Sequence, residues 1–425
     1  MEVAIIGAGF GGLSVGYRLS KNGVGVTIFE TGEKPGGLAI GFRQPQWDWT
    51  VEKHYHHWFT NDNAVLNLAK EINHPVIVKR PVTSTYINGK SRQLDSPLSL
   101  LQFGDLPIAD RMRMGAVLAY LKATNNWRKL EKITANDFIV KYMGQKSWNV
   151  LWKPLFEGKF ADYADSISAS WFWARIKKRT PFLAYPKRGF LAFSEKLAEE
   201  IKKMGGEVHY NTHVAAIAQN NGKLLLNTRN DAFMFDKVIC TLPSSVFIKI
   251  TNLLPNSYVD NLLKTDTIGA VELILSLKKQ FLQDDTYWLN MDKSRFPFLA
   301  VVEHTNFMNK KYYNNEHLLY IGNYLSHSHE YFDMNKKQLF YEYLPYLTKI
   351  NPEFRASWVN DKFKFEDFFA QPIYEVNYSA NIPDFETPIE GLYLLNMEQV
   401  YPWDRGTNYA VENGEKVARM VLESS

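Results

Sequence analysis

The sequence predicts an α/β protein in which a doubly wound, Rossmann-like dinucleotide-binding domain is joined to a second, α+β domain. Three observations predict this. The chain opens on one βαβ unit with a glycine-rich turn at its first bend. It closes on an apolar strand at 391–396 and a helix at 411–422. Between these ends, a long helical stretch and a later set of alternating apolar runs are separated by a further helix–strand unit.

The opening unit is the most specific. Val3-Ala4-Ile5-Ile6 runs into Gly7-Ala8-Gly9-Phe10-Gly11-Gly12, helical spacing of Leu13, Val15, Gly16 and Leu19 follows, and a strand at 24–29 is closed by Glu30. Gly7 permits the tight turn, Gly9 lets backbone N–H groups approach a pyrophosphate, and Gly12 lets helix pack close on strand. The anion would sit at the positive end of the helix that starts near Gly11. Glu30 falls about twenty residues on, where a carboxylate accepts hydrogen bonds from a ribose diol. A strand–turn–helix setting is what gives such a glycine motif its meaning.

After Glu30 comes Thr31-Gly32-Glu33-Lys34-Pro35-Gly36-Gly37-Leu38, a polar loop with a second glycine pair, where a nicotinamide-binding domain would go straight into its next helix. This segment resembles the E-x3-R-x-G-G-R loop of flavoproteins in the amine oxidase, protoporphyrinogen oxidase and phytoene desaturase superfamily. Lys34 takes the first arginine place and Leu38 the second. A lysine neutralises a phosphate as a point charge, without the guanidinium fork, and a leucine does not. The resemblance implies FAD as cofactor.

Composition narrows the classes. A chain of 425 residues has room for two or three domains, and 45% hydrophobic with 22% charged residues is ordinary for a folded globular chain. The formal charge of +4 is small, and no basic cluster is interleaved with stacking aromatics, which argues against nucleic acid as a partner. The single cysteine, Cys240, excludes an internal disulfide and a cysteine-built metal cluster. The first apolar residues are needed for a strand and follow no basic region, so no signal peptide is expected. No apolar run reaches the roughly eighteen residues of a spanning helix. A cytoplasmic protein acting on a small molecule is expected, with no oligomeric state implied.

Three of the ten histidines, His54, His56 and His57, lie in the run Trp47 to Phe59. Along a strand His54 and His56 share a face and His57 points away, and no carboxylate or cysteine cluster completes a metal site, so no metal is expected. The resemblance implies that this segment runs along the isoalloxazine ring, where a histidine would donate a hydrogen bond or carry a proton. From 61 to 180 the pattern turns helical, with strand-like interruptions at Val76–Lys79 and 84–92. The stretch 107–121 is amphipathic and basic, which suits packing on its own domain or, as in monotopic relatives, a peripheral membrane contact. Arg175, with Arg179 one turn on, is either part of a solvated basic face or a clamp for a substrate anion, with tryptophans nearby to stack on a ring or a sugar face. Lys159 with the Arg175 region resembles the UDP-galactopyranose mutases, which implies a substrate contact there. In Glu303-His304, strand neighbours point to opposite faces, so at most one enters a cavity.

A helix at 194–204 and strands at 207–210 and 236–241 form the middle unit. The resemblance implies that this unit returns to the FAD domain, with Val214 as the backbone contact to adenine. At the C-terminus, Leu395-Asn396 stands in place of the superfamily's Gly-Asp, and Asn396 would bond a ribityl hydroxyl or phosphate. Gly406, Thr407 and Asn408 would bring N–H groups to the flavin pyrimidine, with Tyr409 and Trp403 beside the ring and substrate. The resemblance therefore implies an FAD-binding domain of residues 1–60, 181–245 and 370–425 and a substrate domain of 61–180 and 246–369. The implied activity is hydride transfer from a substrate C–N or C–C unit to flavin N5. The alternative is chemistry of the UDP-galactopyranose mutase type, whose histidine-rich segment is similar to His54-Tyr55-His56-His57-Trp58-Phe59-Thr60-Asn61. There the flavin acts on a sugar nucleotide without net redox change.

Overall fold

Period-two alternation along the first strand sets the architecture. In the computed structural model, which describes residues 1–424, Glu2–Ile6 is the central strand of a five-stranded, all-parallel sheet. The order is Glu207–His209, Gly25–Phe29, Glu2–Ile6, Lys237–Cys240 and Leu392–Leu394. Successive side chains leave opposite faces. Val3 and Ile5 enter a core with Leu13, Leu19, Ile201 and Val417, and Ala4 and Ile6 enter another with Val214, Leu224 and Phe247. The first face carries the helices Phe10–Lys21, Phe190–Lys203 and Thr407–Glu423, and the second faces the antiparallel strands Val214–Asn220, Lys223–Thr228 and Ala232–Phe235. Arg18 binds both Glu71 at 2.7 Å and Glu415 at 2.5 Å, joining the first helix to the helix Asn63–Glu71 and to the last one.

A second, seven-stranded sheet runs in the order Val359–Pro372, Thr267–Leu277, His317–Leu325, Ala300–Glu303, Thr286–Asn290, Val82–Ile87 and Lys90–Gln93. Its pairs are antiparallel except that of Thr286–Asn290 with Val82–Ile87. Along Thr267–Leu277, Val271, Leu273, Leu275 and Leu277 join a core with Leu339, Tyr343 and Leu347 of the helix Lys336–Ile350, while Ile274 turns toward the first domain's core. The helices between residues 97 and 178 form their own core around Met114, Phe138, Phe156, Trp171 and Phe172.

Several element boundaries differ from the expectation. The last helix begins at Thr407, directly after its N-cap Gly406, four residues earlier than expected. The Thr407 and Asn408 side chains are engaged by Trp58 and Val65 and do not compete with the helix backbone. The helix expected at 194–204 begins at Phe190, after Gly189 at φ +96. The histidine run is not one strand: it is a loop between the short strands Val51–Glu52 and Trp58–Phe59. The stretch expected at 84–92 is a hairpin turning at Asn88-Gly89, both at positive φ. The amphipathic helix, Ile108–Ala123, buries Met114 and Leu121 and leaves Ile108 and Met112 exposed. Among the described residues no helix is long and apolar enough to cross a membrane, and no group of potential metal ligands occurs.

Candidate cofactor and substrate site

The glycine turn sits at the carboxyl end of the central strand. Gly7 takes φ +106 and Gly9 caps the helix Phe10–Lys21, whose first intrahelical bond is Leu13 N–H to Gly9 C=O at 2.9 Å. The N–H groups of Phe10, Gly11 and Gly12 therefore have no acceptor within the helix. A Cβ on Gly12 would lie 2.1 Å from the Gly7 carbonyl oxygen, so this position fixes helix against turn. A Cβ on Gly9 would meet only Gly37 Cα, at 3.8 Å. Gly9 is thus not required by packing: it borders open space at a positive helix end, which is the shape and polarity a phosphate needs.

Glu30 stands beside this turn and holds it in place. Its Oε2 accepts from Ala8 N–H and its Oε1 from Gly32 N–H, both at 2.8 Å. Gly36 N–H closes the loop onto Ala8 C=O at 2.9 Å. Thr212 N–H donates to Glu30 C=O at 2.9 Å, which brings the chain before buried Val214 alongside the acid. Lys34 pairs with Glu195 at 2.7 Å on the surface.

The final helix brings a second free N-terminus. Gly406 C=O accepts from Tyr409 and Ala410, and the N–H groups of Thr407 and Asn408 precede the first helical acceptor. Both side chains serve as anchors. Thr407 Oγ1 accepts from Trp58 Nε1 at 2.8 Å and Asn408 Oδ1 from Val65 N–H at 3.2 Å. Asn396 is used differently from the expectation: its Oδ1 accepts from Glu398 N–H, and its Nδ2 donates to Leu242 C=O and Ser244 Oγ. It caps a short 3-10 helix and its amide is spent there.

Two adjoining chambers open between the seven-stranded sheet, the histidine loop and the helices around 152–175, sharing Tyr55 and Tyr324. The inner one, about 380 Å³, is walled by Leu38, His54, His56, Glu272 and Arg405. The outer one, about 540 Å³, is walled by Trp152, Lys159, Trp171, Arg175, Trp288 and Asn290. His54 and His56 thus share a cavity, whereas His57 turns to Tyr287 at 3.3 Å. Burial lowers His54 to about 3 and His56 to about 4, so both imidazoles are neutral near pH 7. Lys159 is paired with Asp404 at 3.0 Å, and Arg175 lies 3.7 Å from the same carboxylate. Burial works to raise Asp404, but Lys159, Arg175 and Arg405 outweigh it and hold it at about 2. Arg405 donates to Gln371 at 2.9 Å and to the Tyr324 hydroxyl.

Trp403 and Tyr409 lie outside the two chambers described. Trp403 stacks between Trp173, at 5.0 Å, and Tyr409, at 6.1 Å, with Lys178 over its ring at 4.7 Å. Glu303 accepts from the backbone of Phe281 and Leu282, and His304 bonds Tyr313 at 2.8 Å. Both are spent on internal structure. Sequence reasoning missed Glu272, Arg405, Asp404 and Tyr324. Glu272 carried a readable signal, as the one charged residue in the eleven-residue strand TIGAVELILSL.

These residues fit an FAD: open space at Gly9, two free helix N-termini and an acid beside the first turn. The family described as flavin containing amine oxidoreductase matches residues 10–422. A coproporphyrinogen III oxidase of Staphylococcus aureus is 24% identical over 289 residues, which cover 58% of this chain and 61% of that protein. An oxidoreductase structure from Methanosarcina mazei superposes with a TM-score of 0.78 at 18% identity, covering 99% of this chain and 100% of that one. A reduced UDP-galactopyranose mutase gives 0.78 at 15%, covering 100% and 96%. At such identities the structures share the fold alone. The match along nearly the whole chain places it in the family of flavin-containing amine oxidoreductases, with FAD as its cofactor.

Proposed function

We propose that the protein is an FAD-dependent oxidoreductase acting on a small molecule held in the two-chamber cleft. The observation that carries this reading is the adjacency of an open phosphate cradle at Gly9 and a cleft with aromatic walls and neutral histidines. Residues 1–60, 181–245 and 370–425 would hold the cofactor, and 61–180 and 246–369 the substrate. Gly7, Gly9, Phe10, Gly11, Gly12 and Glu30 would take the pyrophosphate and ribose, and Val214 the adenine. Gly36, Gly37 and Leu38, with Gly406, Thr407 and Asn408, would border the ring.

When bound, the flavin supplies a two-electron acceptor for hydride from a substrate C–H bond. The rest is the protein's work. Trp152, Trp171, Trp288 and Tyr55 exclude water and fix the substrate's plane, and exclusion strengthens every charge interaction inside. His54 and His56 stay neutral and can accept or donate a hydrogen bond without adding charge. The Lys159–Asp404–Arg175 cluster offers an anion two cationic groups already held in place. Anaerobic titration of the purified holoprotein with candidate donors tests the proposal. Bleaching of the flavin absorption by one of them is expected. A flavin that stays oxidised with every donor, in a protein that binds a UDP-sugar only after chemical reduction, would contradict it in favour of mutase-type chemistry.

A further inference from the structure

Glu272 is the feature that the cofactor reading leaves without a task. It is 3% exposed, in mid-strand, and opposite Gly322 of His317–Leu325. A Cβ on Gly322 would lie 2.7 Å from Glu272 Oε1 and 2.9 Å from the Tyr55 ring, so the missing side chain makes room for both groups. Glu272 Oε1 has no hydrogen-bond partner, and neither has buried His54 Nδ1. Glu272 Oε2 and His54 Nδ1 stand 3.9 Å apart across the inner chamber. That is too far for a bond between them, but one ligand atom at ordinary hydrogen-bond distance from each would bridge them.

The nature of that atom follows from charge. Among the described residues no lysine or arginine pairs with buried Glu272, and its Oε1 is unpartnered. Burial also raises the carboxyl well above its ordinary range, which favours the protonated form, an O–H donor. A neutral imidazole can offer the acceptor. The bridging group must therefore accept one hydrogen bond and donate another, as a hydroxyl does. An ammonium has no lone pair for the Glu272 proton. It would also enter a cleft where Arg175 and Arg405, with Lys159 lowered by burial to about 7, stand against the carboxylate of Asp404.

We propose that Glu272 and His54 form a subsite for a neutral hydroxyl, and that the substrate is an anion-bearing hydroxy compound whose anion rests on Lys159 and Arg175 in the outer chamber. This rests on the cleft being the substrate site and sets the substrate apart from a simple cationic amine. The aromatic walls suit the C–H face of a ring between the two polar ends.

Binding to the oxidised holoprotein, read from the flavin difference spectrum without turnover, tests it. The probes are 4-(hydroxymethyl)benzoate and its homologue two carbons longer, each against its methyl-terminated and amino-terminated counterparts, with benzyl alcohol as the form lacking an anion. At least one hydroxyl probe is expected to bind tenfold or more tighter than its methyl and amino counterparts. That advantage should vanish in Glu272→Leu and in His54→Phe, the second variant keeping the test decisive if the first does not fold. Benzyl alcohol should bind at least tenfold more weakly, and Arg175→Met should reproduce that loss. Equal binding of hydroxyl and methyl probes, tighter binding of an amino probe, or no binding at millimolar concentration would overturn the proposal. A flavin that no donor bleaches, beside hydroxyl binding that depends on Glu272, would sink the oxidoreductase reading and leave this one standing.

Discussion

The glycine turn and the two-chamber cleft lie in one site but are built by opposite means. The turn is almost free of side chains: Gly7, Gly9 and Gly12 clear space and leave backbone N–H groups open, with Glu30 and Thr241 as side chains that hold the loop. The cleft is made of side chains from widely separated stretches, among them those carrying His54, Lys159, Glu272, Tyr324 and Arg405. Its charges are partly stripped of water and depend on one another. The turn should therefore fail by crowding and the cleft by imbalance of charge.

The largest effect is expected in the cleft. Asp404→Asn leaves Lys159, Arg175 and Arg405 facing one another without their shared partner. Removing one member of a buried charge cluster costs about 3 kcal/mol, to be read from denaturant unfolding near pH 7. The sign of the pH dependence follows. Asp404 is held at about 2, below its ordinary 3.8, so its stabilisation is complete above 3.8 and is lost as pH falls through about 2. The acid limb of the wild-type stability profile should be steeper than that of the variant.

At the turn, two alanines separate packing from ligand binding. Gly12→Ala places a Cβ 2.1 Å from a backbone oxygen and should cost about 1–3 kcal/mol in thermal unfolding of the apoprotein. Gly9→Ala meets nothing closer than 3.8 Å and should leave apoprotein stability within about 0.5 kcal/mol. It should nevertheless weaken FAD at least tenfold, about 1.4 kcal/mol. Equal stability loss in both variants would erase the contrast. The smallest loss from a broken contact belongs to the seam between the two regions. Thr407→Val removes the acceptor of Trp58 Nε1 and leaves a buried donor unpaired, which costs about 1–2 kcal/mol in denaturant unfolding.

Legibility in the sequence divides along the same line. The opening strand, turn, helix and Glu30 follow one another directly, so local rules reach them, and the parallel sheet and final helix follow from the same patterns. The cleft depends on which distant strands meet. Glu272 becomes a wall of the inner chamber only because Thr267–Leu277 lies beside His317–Leu325 and under the histidine loop. Asp404 and Arg405 gain their roles from Lys159, Tyr324 and Gln371, far away in sequence. Residue type gave no warning at Asn396, where a polar side chain at a strand end is taken up by a cap. A strand would put His54 and His56 on one face and His57 on the other; the segment is a loop, and His54 and His56 still share a cavity while His57 turns to Tyr287.

The central claim is that FAD lies on the Gly9 cradle beside the charged cleft. The absorption spectrum of purified wild-type protein and of Gly9→Ala, each reconstituted with FAD and desalted, tests it most directly. Wild-type protein should carry bound-flavin absorption, and Gly9→Ala protein should unfold at the same temperature as wild-type apoprotein but emerge largely colourless. Wild-type protein that takes up no flavin, or a Gly9→Ala protein that keeps its full complement, would contradict it.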